Sequence, residues 1–211
     1  MSSAPKLASW TYAEEFIAED AELESARAAG SELGAVPIGL GGGAALRMLA
    51  AASGARAVIE IGSGAGNSGL WLLRGMPADG VLTTIDVSPE HSAAAKKAYA
   101  AAGISHNRTR VITGAALDVL PRMTDGAYDL VFIDADKATY PAYVEHGIRL
   151  LRAGGVLALD NMMCGDKVAD PAARDKATSA ARELGKALRD DERLLANLLP
   201  VGDGLLVAIK R

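Results

Sequence analysis

The sequence holds one cysteine, Cys164, so no disulfide can form within the chain; that usage predicts a reducing cytoplasm. Aromatic residues make up only 4%, which leaves Ala, Val, Leu and Ile to build the core. No basic tract of the kind that grips phosphate backbones is present, and a formal net charge of -4 argues against a nucleic-acid partner. No uninterrupted apolar run could span a bilayer, and the opening MSSAPKLASW lacks the apolar centre of a signal peptide. The three histidines are dispersed: His91 in a helix start, His106 in a polar loop and His146 on a helix. None has a second histidine at metal-ligand spacing, so solvated or packing roles are expected. What is present is 211 residues, half of them hydrophobic and 23% charged, enough for one well-buried domain over 1–211.

The stretch that organises the chain runs from Asp129 to Asn161. An apolar strand, Leu130 to Ile133, ends in Asp134, with Asp136 and Lys137 just beyond. A helix from about Ala138 to Leu151 and a Gly154-Gly155 turn lead to a second apolar strand, Val156 to Leu159, ending in Asp160-Asn161. Strands joined through a helix lie parallel, so both end at one edge of the sheet. Ligands of open α/β sheets bind outside that edge. Asp134, Asp160 and Asn161 are therefore predicted to converge there, with Lys137 one turn away.

Earlier in the chain, Trp10 to Ala29 spaces its apolar residues as one amphipathic helix, a lid or dimerisation element within an N-terminal segment 1–36. Gly39-Leu40-Gly41-Gly42-Gly43 reads as a flexible joint before a helix from Ala44 to Ser53. Ala57 to Ile61 then forms a strand that enters Gly62-Ser63-Gly64-Ala65-Gly66 and a helix from Asn67. That order sets backbone N–H groups at a helix N-terminus, a seat for a carboxylate or phosphate. Asp86, ending the strand Val81 to Ile85, is placed to accept hydrogen bonds from ribose hydroxyls. Arg108 to Thr113 adds a strand, followed by Gly114-Ala115-Ala116, small enough for an adenine ring to lie on the backbone. A polar helix from about Ala172 to Arg189 precedes an antiparallel hairpin, Arg193 to Leu199 with Leu205 to Lys210. A nicotinamide-dependent oxidoreductase is the rival for such a strand–turn–helix, but its G-x-G-x-x-G pattern wants glycine where this chain has Asn67. A nucleotide-binding module without catalysis is a second rival.

Glu60-Ile-Gly62 with Gly64 and Gly66 resembles the first motif of class I S-adenosylmethionine-dependent methyltransferases. With Ser68, Asp86, Ile133-Asp134-Ala135-Asp136-Lys137, Tyr140, Asp160-Asn161 and Leu199-Pro200-Val201-Gly202-Asp203-Gly204, the chain resembles the cation-dependent O-methyltransferases, the catechol and caffeoyl-CoA group and its bacterial relatives. The resemblance implies an α/β, Rossmann-like sheet of seven strands, six parallel and one antiparallel, with helices on both faces, and usually a homodimer. It implies a methyl donor, S-adenosylmethionine, held by Ile38, Glu60, Gly62, Ser63, Ser68, Asp86, Val87, Ala115, Ala116 and Asp134. The family often has an aromatic residue after Asp160-Asn161, where this chain has Met162, Met163 and Cys164. The N-terminal segment is poor in bases, which weakens the case for a coenzyme A thioester as acceptor.

Two carboxylates and an amide oxygen form a hard, oxygen-only set suited to Mg²⁺, or to Ca²⁺ or Mn²⁺. Asp134, Asp160 and Asn161 are thus the expected metal ligands, and Asp134 and Lys137 the expected catalytic pair. Adjacent hydroxyls of a catechol-like acceptor would reach such an ion, with Lys137 taking the proton.

Overall fold

The computed structural model describes residues 4–211. Residues 1–3, which head the 1–36 segment and the opening read for a signal peptide, lie outside the described residues. Three helices come first: α1, Ala4–Glu14; α2, Ala21–Glu32; and α3, Leu40–Ala52. The single helix expected over Trp10 to Ala29 is therefore two. Asp20 causes the break: its backbone is extended and its carboxylate accepts from the Leu23 N–H, so it caps a new helix instead of continuing the old one. The glycine run is also not a joint. Gly39 is the N-cap of α3, and Gly41 to Gly43 lie buried inside it. A Cβ on Gly43 would meet the Trp71 indole at 2.3 Å, so the missing side chains let α3 close on the next helix.

From there strands and helices alternate. They are β1, Ala57–Ile61; α4, Asn67–Gly75; β2, Val81–Asp86; α5, Pro89–Ala101; β3, Thr109–Thr113; and α6, Ala116–Val119. Then come β4, Tyr128–Ile133; α7, Tyr140–Leu150; β5, Leu151–Leu159; α8, Lys176–Asp190; β6, Leu194–Leu199; and β7, Leu205–Lys210. Gly154 and Gly155 fall inside β5 rather than in a turn before it. Helix α8 starts later than expected because Asp175 caps it through the Thr178 N–H.

The seven strands lie in the order β3-β2-β1-β4-β5-β7-β6. Strands β1 to β5 pair in parallel, and β7 runs antiparallel to both β5 and β6, giving six strands one way and one the other, as expected. Central strands are apolar on both faces because helices cover both. Val58, Leu130, Phe132 and Ala158 face a core with α2 to α5, where Leu23, Leu46, Leu70 and Trp71 are buried. Ile59, Ile61, Val131, Ile133 and Leu157 face the other way, against Val144, Ile148 and Leu188. Each buried Val, Leu, Ile or Phe among them contributes about 1.5–3 kcal/mol. No helix among the described residues is long and apolar enough to cross a membrane.

The register decides where the chemistry sits. Ile61, Ile85 and Ile133 are neighbours across the sheet, and Ile133 pairs with Leu159. The ladder continues past the strand ends: Gly62 N donates to Ile85 O, Asp134 N to Ile61 O, and Asp160 N to Ile133 O. The loops carrying the candidate side chains leave the sheet already hydrogen-bonded to one another.

Candidate active site

A cavity of about 490 Å³ opens at the carboxyl ends of β1, β2 and β4. Ile38, Gly62, Ser63, Ser68, Asp86, Val87, Ala116 and Asp134 line it, as do Lys137 and Asn161. Gly62, at φ 95°, is where β1 crosses the end of β4; a Cβ there would sit 1.8 Å from the Asp134 carbonyl oxygen. Only glycine lets these two loops touch.

Asp86 is fixed before any ligand arrives. Its Oδ2 accepts from Ser63 N and Gly64 N, each at 3.0 Å, and its Oδ1 from Ser88 N at 2.9 Å. The glycine turn is thus wrapped around Asp86. His91 adds to this wall: its Nδ1 lies 3.3 Å from Asp86 Oδ2, and the ring lines the cavity. His91, expected in a helix start with a solvated or packing role, sits at the start of α5 and packs its ring beside Asp86. His106 is exposed, and His146 lies against Arg149, as expected for residues outside the site.

Glu60 and Ala115 were expected at the cofactor and do not line the cavity. Glu60 is fully buried beneath the glycine turn, accepting from Ser68 Oγ and Thr84 Oγ1, both at 2.6 Å. Burial, together with the charges of Asp134 and Asp86, outweighs those two hydrogen bonds and pushes its carboxyl up to about 7. Ser68 likewise turns its hydroxyl down to Glu60. Asn67 uses its amide to hold the N-terminal arm, donating to Glu19 Oε1 and Leu23 O. A glycine could not do this, which is a physical reason for the departure from the dinucleotide pattern.

Asp134, Lys137, Asp160 and Asn161 come together as predicted, although Asp160 lies behind the cavity wall at 2% exposure. Lys137 Nζ donates to Tyr140 Oη at 2.8 Å, to Asp160 O at 2.9 Å, and reaches Asn161 Oδ1 at 3.5 Å. The ammonium also stands 4.3 Å from the Tyr140 ring centroid. Burial pushes the Asp134 carboxyl up, and the Asp160 charge adds to this against Lys137. Burial raises Asp160 as well, with Asp203 and Glu14 adding their charges and the Asn161 N–H and Lys137 opposing. Lys137 itself is pulled down by burial, against the surrounding carboxylates. Asn161 adopts φ 53°, which turns its side chain back toward the lysine.

Such crowding of negative charge at one sheet edge, opposed by a single lysine, is chemistry that a cation relieves. Among the described residues no group of three or more His, Cys, Asp or Glu side chains could hold a metal ion. The candidate set instead joins two carboxylates to an amide oxygen, and these hard donors fit a divalent cation of the Mg²⁺ class.

Tyr143 and Pro37 carried no signal in the sequence; they are brought to the cavity by α7 and by the link between α2 and α3.

The family profile described as O-methyltransferase matches residues 11–211. A Mycobacterium tuberculosis (strain H37Rv) protein named "Probable O-methyltransferase Rv1220c" is 50% identical over 201 residues, covering 95% of this chain and 90% of the relative. The solved O-methyltransferase TomG from Streptomyces achromogenes, involved in tomaymycin synthesis and in complex with SAM, superposes with a TM-score of 0.85. It is 30% identical, covering 100% of this chain and 99% of TomG. An O-methyltransferase from Bacillus cereus in complex with SAH gives 0.84 at 29% identity, over 97% of this chain and 100% of that one. The fold, the glycine turn wrapped on Asp86 and these likenesses converge: the chain belongs to the O-methyltransferase family.

Proposed function

We propose that the protein transfers the methyl group of S-adenosylmethionine to a hydroxyl of a small aromatic molecule bearing two adjacent hydroxyls, with a divalent cation, Mg²⁺ first, beside the acceptor. The observation that carries this reading is the meeting of Asp134, Lys137 and Asn161 on the cavity wall, with Asp160 buried directly behind them and its carbonyl bonded to Lys137. TomG and the Bacillus cereus enzyme, solved with SAM and SAH, support the choice of donor.

In this reading the donor's ribose hydroxyls reach Asp86, whose carboxylate is already oriented by Ser63 N and Gly64 N. Its carboxylate meets the first N–H groups of α4, which have no partner within the helix. Ile38 and Val87 supply apolar walls. When bound, a divalent cation held by Asp134, Asp160 and Asn161 supplies Lewis acidity that lowers the pKa of a coordinated hydroxyl. The chain then has to orient and deprotonate. The acceptor oxygen attacks the sulfonium methyl in line, a C–O bond forms, the S–CH₃ bond breaks and the sulfonium becomes a thioether. The hydroxyl proton passes to Lys137 Nζ, which its bonds to Tyr140 and Asp160 hold at the cavity edge.

A panel of catechols with S-adenosylmethionine and Mg²⁺ is expected to yield methylated product that EDTA abolishes. Full activity in EDTA would remove the cation from the scheme. Asp160→Ala is expected to weaken Mg²⁺ binding by roughly 10- to 100-fold or more, with excess Mg²⁺ restoring part of the rate. Titration calorimetry and a rate-against-Mg²⁺ curve measure both.

The same reading includes a homodimer working in the cytoplasm. Leu7, Trp10, Tyr12 and Phe16 are each more than half exposed along α1 and its exit, an apolar surface that a second copy would cover. Light scattering is expected to give twice the 21.7 kDa chain mass, and a concentration-independent monomer would refute it.

A further inference from the structure

Glu14, the last residue of α1, binds two places that are far apart in the chain. Its Oε1 accepts from Gly41 N at 2.9 Å, in the first turn of α3, and its Oε2 from Gly202 N at 2.8 Å, in the β6–β7 turn. The surroundings are shaped for this carboxylate. A Cβ on Gly39 would stand 2.7 Å from Oε1 and one on Gly41 2.3 Å from Oε2, so side chains at either position would expel it. Gly39 and Gly202 also nearly touch, a Cβ on the first lying 3.0 Å from the second's Cα.

The turn held by Glu14 in turn holds the loop that follows Asp160. Met162 N donates to Gly204 O at 2.9 Å and Met163 N to Asp203 O at 2.8 Å. Gly165 N donates to Asp203 Oδ1 at 2.7 Å. This loop carries three non-glycine residues in the left-handed region, Asn161 at φ 53°, Cys164 at φ 51° and Asp166 at φ 63°. Such conformations persist only where surrounding bonds impose them. Local bonds hold the first two, Asn161 N to Asp160 Oδ1 and Cys164 N to Asn161 O, while the residues between and beside them, Met162, Met163 and Gly165, are tied to the 201–204 turn that Glu14 holds.

We propose that Glu14 is a positioning residue, coupling the seating of the N-terminal arm to the conformation of the Asn161–Gly165 loop and so to the acceptor end of the site. This rests on the methyl-transfer reading for its kinetic consequence but not for its structural one. The arm has a separate anchor on the nucleotide side, where Glu19 takes Arg27 and Asn67 and Arg27 reaches Ile38 O. Loosening Glu14 therefore frees the acceptor end and leaves the donor end held.

Glu14→Gln tests this with little change in shape. The amide oxygen can keep one of the two N–H donors, and the amide NH₂ opposes the other. Hydrogen exchange at Met162 and Met163 is expected to quicken by about tenfold or more, with exchange in β1 and β4 unchanged. Given turnover on a diol, kcat is expected to fall and the acceptor KM to rise, with the S-adenosylmethionine KM within about twofold. Glu14→Asp, which keeps the charge, should recover part of both effects. A lower melting temperature with Met162 and Met163 as protected as in the parent overturns the coupling. If the parent methylates no diol, the exchange result still decides the coupling, and it is the substrate reading that fails.

Discussion

Lys137→Ala is expected to lower kcat by roughly 10²- to 10⁴-fold, the range for losing a general base, with metal and nucleotide affinity nearly unchanged. The lysine is half-buried and its charge contacts only groups that remain after the substitution. Tyr140 Oη keeps Ile133 O and Asp160 O as acceptors at 3.3 Å, so the fold should survive. Burial pulls Lys137 below its usual value, which raises the fraction able to accept a proton near neutral pH. The rate of the parent should therefore rise with pH through that lowered pKa. The discriminating measurement compares acceptors of different acidity. A diol already ionised at the assay pH needs no proton removed and should lose little rate in the variant. An equal loss for acidic and weakly acidic acceptors makes Lys137 an orienting group, and normal kcat on a weakly acidic diol ends its role as base.

The strand–helix–strand unit from Asp129 to Asn161 was legible because β-branched runs, a helix of fixed length and acids at strand ends leave few arrangements. Parallel pairing then puts Asp134 and Asp160 side by side. What was not legible depends on partners distant in sequence. The glycine run at 39–43 looks flexible by itself, and only Trp71 and Glu14 show it to be a packing surface. His91 reads as a helix-start residue until Asp86 is folded beside it. Periodicity does not register a cap, so the segment Trp10 to Ala29 reads as one helix, whereas Asp20, a better cap than helix interior, divides it. The resemblance implies Glu60 at the methyl donor; the pleat sends its side chain under the turn, to Ser68 and Thr84.

Burial under the turn gives Glu60 a large effect on stability. Its carboxyl is fully buried, with Ser68 Oγ and Thr84 Oγ1 as hydrogen-bond partners, and is pushed up to about 7 from the ordinary 4.5. Between those two values the folded protein keeps a proton that the unfolded chain releases. Stability linked to Glu60 is therefore complete below about 4.5, falls as pH rises through 7, and then levels off, with a total loss of about 3 kcal/mol. Glu60→Gln removes the titration while keeping the shape. Its amide oxygen accepts from one hydroxyl and its NH₂ donates to the other, and Thr84 Oγ1 can turn its proton to Ser63 Oγ, 2.6 Å away. The variant is expected to exceed the parent least at pH 5, increasingly up to about pH 7, and by a nearly constant amount from there to pH 8. For a chain of this size that gain corresponds to a melting temperature higher by about 6–12 °C. Thermal unfolding of both proteins at pH 5, 6, 7 and 8 measures it, and titrations common to both cancel in the difference. A gap that stays constant across that range would mean Glu60 is ionised throughout, with Ser68 and Thr84 stabilising the charge more than burial opposes it.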